Sequence, residues 1–145
     1  MEFETRAIHA GQEPDPATGS VIVPIYQTST YVQEAVGRHK GYDYSRVANP
    51  TRTALQQCLA SLESAEHGIA FSSGIGATTT LMHLLNPGER TVLIADVYGG
   101  VYRLTSQVYA PKGYEFAYVP AEEFDENLPA HLDERTKPPS TSAST

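Results

Sequence analysis

HGIAFSSGIGATTTLMHLLNPGERTVLIADVYGG, residues 67–100, decides the fold. Its first six residues, His67 to Ser72, are apolar at their centre and as short as a strand. They run into Ser73-Gly74-Ile75-Gly76, after which Ala77, Leu81, Leu84 and Leu85 recur at helical spacing. Asn86-Pro87-Gly88 then stops that helix. Thr91 to Ala95 is an unbroken apolar run ending in Asp96, the pattern of a strand buried on both faces. Downstream, Val101, Leu104 and Val108 give a third helical stripe, closed near Pro111 and Gly113. Tyr114 to Val119 alternates like a strand, and Leu128 and Leu132 mark a last helix. Strand alternating with helix means right-handed crossovers on a mostly parallel sheet, an α/β fold.

Upstream of residue 67 the texture differs. Asn49-Pro50 combines an N-cap residue with proline at the first helical position, and Leu55, Leu59 and Leu62 follow at helical spacing. Residues 1–40 lack periodicity and are broken by Pro14, Pro16, Gly19, Pro24 and Gly37. VIVPIYQTSTYV is apolar, but Pro24 argues against a central strand, so an extended arm over another surface is expected. Three regions result: an arm and loop over 1–48, a partial α/β domain over 49–136, and a tail over 137–145. The tail, KPPSTSAST, has the composition of disorder where a further buried strand would be expected, so the chain reads as truncated or frame-shifted there.

Composition narrows the function classes. A formal net charge of −7 argues against general affinity for nucleic acid or an anionic membrane, though not against a local cationic pocket. The single cysteine, Cys58, forms no disulfide within the chain. The N-terminus has no apolar signal-peptide core, and no apolar run nears the ~20 residues of a membrane span. A soluble cytoplasmic protein is expected.

Four constellations carry chemistry. Ser72-Ser73-Gly74-Ile75-Gly76-Ala77 is a small-residue turn at a helix start, where free N–H groups and the helix dipole suit a phosphate. It lacks the Gly-Lys-Ser/Thr ending of a Walker loop, and a plain tight turn explains it equally well. Tyr44-Ser45-Arg46 sets a phenol and a guanidinium two residues apart, able to bond phosphate oxygens or simply to face solvent. Asp96-Val97-Tyr98-Gly99-Gly100 follows the carboxyl end of a strand, where α/β sheets bind ligands. Tyr98 there can lie against a flat cofactor, or cap the core. Arg103, one helical turn further on, can point to the same mouth or outward.

YDYSRVANPTR, SSGIGATTTLMHLL and DVYGGVYRL, in this order and behind TRAIHAGQEPDPATGSVIVPIYQTSTY, resemble the pyridoxal-phosphate-dependent enzymes of cysteine and methionine metabolism. The resemblance runs over residues 5–135. It implies the type I, aspartate-aminotransferase-like fold, pyridoxal 5′-phosphate as cofactor, an amino-acid substrate, and homotetramers built from dimers with shared sites. It further implies that Gly74 and Ile75 hold the phosphate through backbone N–H groups; Ile75 stands where relatives often carry methionine. Tyr44 and Arg46 would reach the phosphate of a neighbouring subunit. Tyr98 would stack on the cofactor ring near the leaving group as the catalytic residue, and Arg103 would meet the substrate's distal end.

Trans-sulfuration most like that of cystathionine γ-synthase is implied, with γ-lyase, β-lyase or homoserine-ester sulfhydrylase activity as alternatives. Gly100 speaks against methionine γ-lyase, which tends to carry cysteine there. Lys40, Lys112 and Lys137 are the only lysines, and none has the Ser-x-x-Lys context of the family's Schiff-base lysine. The 145 residues alone are therefore expected to be inactive. An inactive fragment, or a non-enzymatic α/β module binding a phosphate ligand, is the reading from another class.

Overall fold

The computed structural model describes residues 1–137. The tail expected at 137–145 lies, beyond Lys137, outside the described residues. The chain divides into two compact units, Met1–Ala70 and Phe71 onward.

In the first unit α1 (Phe3–His9) rests on α2 (Pro50–Leu62). The α2 start is as the sequence indicated. The Asn49 side chain accepts the N–H groups of Thr51 (2.9 Å) and Arg52 (3.4 Å), with Pro50 opening the helix. α1 has no side-chain cap and no helical signal of its own, and so short a helix is marginal alone. Docking supplies what its sequence lacks: the Arg6 guanidinium donates to the Ser61 carbonyl and, at 3.4 Å, to Ser64 Oγ. Gly11 is required where the chain leaves α1. Its φ is +72°, and a Cβ there would sit 2.7 Å from the Ala54 carbonyl oxygen. Residues 12–48 form no helix or strand, only isolated bridges at Thr30–Tyr44 and Ala35–Arg38. Val21, Ile22, Ile25, Val32 and Val36 all stand exposed.

The second unit runs α3 (Gly74–Met82), β1 (Arg90–Ile94), α4 (Gly99–Arg103), β2 (Glu115–Val119) and α5 (Ala121–His131). After Arg103 the α4 backbone widens into a π-helical stretch, Leu104–Tyr109, then tightens into a 3-10 turn, Ala110–Lys112. Gly113, at φ +91°, ends it. β1 and β2 pair in parallel, with Arg90 opposite Glu115 and Ile94 opposite Val119. Met82, Leu85 and Tyr109 form the core, with Leu104, Tyr114 and Phe116 packed against them. This is the expected α/β architecture with a parallel sheet.

Two expectations need correction. His67 to Ser72 is not a strand: it joins no ladder among the described residues, its Ala70 N–H bonding the Gln56 side chain (3.0 Å) instead, and a strand exists only through its neighbours. Nor is β1 buried on both faces. Thr91 is buried, but Ile94 is exposed, because the two described strands cover too little of one another's surroundings. The other edge of β1 is nonetheless engaged. The Arg90 N–H donates to the Arg135 carbonyl (2.9 Å) and the Lys137 N–H to the Arg90 carbonyl (3.0 Å), a parallel rung after α5. Arg90 and Arg135 both hold Asp133, at 3.2 and 3.1 Å.

Candidate functional site

In the second unit the small-residue turn opens α3. Ser73 caps it, its Oγ accepting the Gly76 N–H at 3.0 Å, while the Ala77 N–H reaches the Ser73 carbonyl at 3.1 Å. The N–H groups of Gly74 and Ile75 are first-turn donors with no intrahelical acceptor, so they are available to an anion. A Cβ built on Gly74 would meet nothing within 4 Å, so the turn is uncrowded on that side. Threonines close the turn from behind: Thr78 Oγ1 donates to the Gly74 carbonyl and Thr80 Oγ1 to the Gly76 carbonyl, each at 3.0 Å.

β1 ends at Ile94 and hands the chain to Tyr98, whose backbone carbonyl accepts the first α4 bonds, from Val101 (2.8 Å) and Tyr102 (3.1 Å). The Tyr98 side chain is 71% exposed, a large flat ring at the strand's carboxyl end. It folds over Gly100: a Cβ at that position would lie 2.5 Å from Tyr98 Cε1, 3.1 Å from Cδ1 and 3.2 Å from Ile75 Cδ1. Gly100 is thus the meeting point of the α3 turn and the Tyr98 ring. Arg103 turns back toward the same place, its Nη1 3.8 Å from a Cβ built on Gly99. Gly74, Ile75, Tyr98 and Arg103, separated by up to 29 residues in sequence, therefore share one corner of the second unit.

Tyr44 and Arg46 lie in the first unit, where the guanidinium carbon stands 5.2 Å above the Tyr44 ring centroid. Their turn is held from both sides. Ser45 N–H bonds the Ser29 carbonyl at 2.8 Å, and the Tyr44 carbonyl takes the N–H groups of Val47 and Ala48, each at 3.0 Å. Arg52, in the first turn of α2, donates to the Val47 carbonyl at 2.6 Å. The supporting role of Arg52 has no local signature in the sequence. The Ser73 cap does have one, since serine three residues before Gly76 is a recognisable N-cap signal.

A phosphate monoester on a flat aromatic ring fits what the second unit presents. Two first-turn N–H groups have no intrahelical acceptor, an exposed ring offers a stacking face, and one exposed guanidinium lies beside Gly99. Among the described residues no cluster of histidine, cysteine or carboxylate side chains could hold a metal ion. No helix among them is long and apolar enough to cross a membrane.

The family model for Cys/Met metabolism PLP-dependent enzymes matches residues 4–138. The chain belongs to this family. Pyridoxal 5′-phosphate is the family's cofactor, which agrees with the donors and ring just described. Over 117 residues the chain is 59% identical to a probable cystathionine γ-synthase of Herpetosiphon aurantiacus, covering 81% of this chain and 37% of that protein. It is 53% identical to a cystathionine β-lyase of Coxiella burnetii, covering 81% and 30%. A crystal structure of metB from Corynebacterium glutamicum superimposes with a TM-score of 0.86 at 45% identity, covering 94% of this chain and 36% of that one. The chain thus spans about a third of the length of these relatives, and the names of relatives divide among γ-synthase, β-lyase and γ-lyase. What the two units describe is the arm and part of the large cofactor-binding domain of this family's fold.

Proposed function

We propose that these residues supply the phosphate and ring subsites of a pyridoxal-phosphate-dependent trans-sulfuration enzyme, most like a cystathionine γ-synthase acting by γ-replacement on a homoserine ester. The observation that carries the reading is the convergence of the α3 N-terminus, the Tyr98 ring and the Arg103 guanidinium around Gly99 and Gly100. Gly74 and Ile75 donate their N–H groups to the phosphate. Tyr98 lies along the pyridine ring, with its phenol placed to move a proton at the leaving-group atom. Arg103 receives the distal end of the amino-acid substrate. When bound, the cofactor supplies an electron sink for the substrate's α-carbon.

Residues 1–48 serve as an arm and inter-subunit loop, from which Tyr44 and Arg46 reach the phosphate held by a second copy in a homodimer or homotetramer. Residues 49–136 form the cofactor domain, and the enzyme works in the cytoplasm. The exposed apolar side chains between Val21 and Val36 support the arm's role, since they need a surface to cover. None of the three lysines is given a covalent role. Lys112 rests 5.6 Å above the Tyr109 ring, the Lys137 backbone is part of the β1 rung, and Lys40 sits in the arm.

Pyridoxamine 5′-phosphate, which does not condense with lysine amines, tests the phosphate subsite on the 145-residue chain. Ile75→Pro removes one N–H in the first turn, where no intrahelical bond is lost, and is expected to weaken binding about tenfold. Equal affinity of the wild-type chain for pyridoxamine with and without its phosphate would refute the assignment.

A further inference from the structure

Resting on the reading of Tyr98 and Arg103 as ligand-facing groups, we propose that the buried Thr105–Tyr118 hydroxyl pair positions them, by fixing α4 to the carboxyl end of β2. Thr105 is 0% exposed, and its Oγ1 lies 2.6 Å from the Tyr118 hydroxyl, 2.9 Å from the Val101 carbonyl and 3.0 Å from the Tyr102 carbonyl. A hydroxyl has one proton to give. Thr105 gives its proton to the two α4 carbonyls, so Tyr118 must donate to Thr105 Oγ1.

The carbonyls involved matter. The backbone leaves α-helical register at Leu104, directly after Arg103, where i→i−5 bonding replaces the i→i−4 ladder and the Val101 carbonyl also takes the Leu104 N–H. Thr105 caps two carbonyls of the short helix that carries Gly99, Gly100 and Arg103, and Tyr118 anchors that cap to the sheet. Tyr118 pairs with Leu93, one residue before both strands end, so the anchor lies at the ligand-facing end. The tilted Tyr102 ring, 5.4 Å from that of Tyr118, closes the same junction. α4 runs on through the π-helical stretch to Tyr109 in the core, and the hydroxyl pair adds a polar tie from the junction to β2. With the hydroxyl pair in place, the α4 backbone from which Tyr98 and Arg103 project is tied to β2.

The test uses the 145-residue chain labelled with nitrogen-15. Tyr118→Phe keeps the ring and loses only the hydroxyl. It is expected to shift or broaden the amide signals of Gly99, Gly100 and Arg103 while those of Val92 and Leu93 stay in place. Thr105→Val is expected to loosen pyridoxamine 5′-phosphate binding by about threefold to tenfold. Thr105→Ser loses the buried methyl, and with it stability, but keeps the hydroxyl, and is expected to bind like the wild type. Affinity that follows the urea midpoint of each variant, rather than the presence of the hydroxyl, would overturn the proposal. So would unmoved α4 amides in Tyr118→Phe, which decide the matter if Thr105→Val does not fold. Absence of binding by the wild-type chain would instead overturn the phosphate and ring subsites, and the amide comparison then decides the positioning claim without a ligand.

Discussion

Gly100→Ala puts the arrangement around Tyr98 under the most direct strain. The added methyl would stand 2.5 Å from Tyr98 Cε1, well inside contact distance, and 3.2 Å from Ile75 Cδ1. Two outcomes compete. Forcing a methyl into a closed core costs about 1–3 kcal/mol of stability. Here the obstructing ring is mostly exposed and free to swing out, and alanine is favoured over glycine inside a helix by about 1 kcal/mol. The ring should therefore yield, and the melting temperature should stay close to that of the wild type. What is lost is the ring's place beneath a ligand. An aromatic stacking contact contributes about 0.5–1.5 kcal/mol, so affinity for pyridoxamine 5′-phosphate should fall about twofold to twelvefold. Tyrosine fluorescence reports both quantities, since the chain has nine tyrosines and no tryptophan. Unchanged affinity at unchanged stability would mean that the ring's position over Gly100 does not contribute to binding. A large drop in melting temperature would mean that the ring is locked rather than free.

Arg46→Ala removes a guanidinium assigned to a phosphate across a subunit boundary, and should cost about 1.5–3 kcal/mol of cofactor affinity in the assembled protein. Cofactor retained equally after dialysis would remove Arg46 from the site. Tyr98→Phe should keep pyridoxamine 5′-phosphate affinity near wild type, while under the proposed function it lowers turnover; equal turnover would leave Tyr98 as a stacking residue alone. Asn49→Ala deletes the α2 cap and the bond from Asn49 Nδ2 to the Tyr26 carbonyl at 3.0 Å, and should destabilise the first unit by about 1–2 kcal/mol in urea melts. Asp133 gives the pH dependence. Burial pushes its carboxyl up, but hydrogen bonds from Thr136, Arg135 and Arg90 together outweigh burial and hold it well below the usual carboxylate range. A lowered native pKa stabilises the fold above the unfolded value, about 4, and that share is lost as pH falls further. The wild type should therefore lose stability between about pH 5 and 2 more steeply than Asp133→Asn, which parallel thermal melts would show.

The parts of the fold written in local pattern were readable from sequence. Asn49-Pro50 marks its helix through capping chemistry confined to four residues, and Thr91 to Ala95 marks its strand through an unbroken apolar run. His67 to Ser72 misled because an apolar segment shows that burial is wanted without showing by what. α1 stayed invisible for the opposite reason: its stability comes from Arg6 meeting Ser61 and Ser64, more than fifty residues away. In the candidate site, glycine, tyrosine and arginine were recognisable by type. The fold of the Tyr98 ring over Gly100 was not, because it depends on where α3 delivers Ile75. Thr105 is the plainest case. A threonine in a helical stretch carries no sequence sign that its hydroxyl will bond a tyrosine thirteen residues on.

The single rung between Arg90 and the residues after α5 has a topological consequence. It sets β1 between β2 on one side and the Thr136 segment on the other. The chain thus leaves β1 in one direction through α4, and returns past it in the opposite direction through α5. Right-handed crossovers running in opposite directions must lie on opposite faces of a sheet. The loops leaving the carboxyl ends of β1 and β2 accordingly diverge, one rising to α4 and the other falling to α5. That divergence is a topological switch point, where the parting of two loops opens a crevice no side chain has to carve. Tyr98 belongs to one of those loops and Pro120 to the other, so the reversal of strand order places the Tyr98 ring at the parting of the two loops.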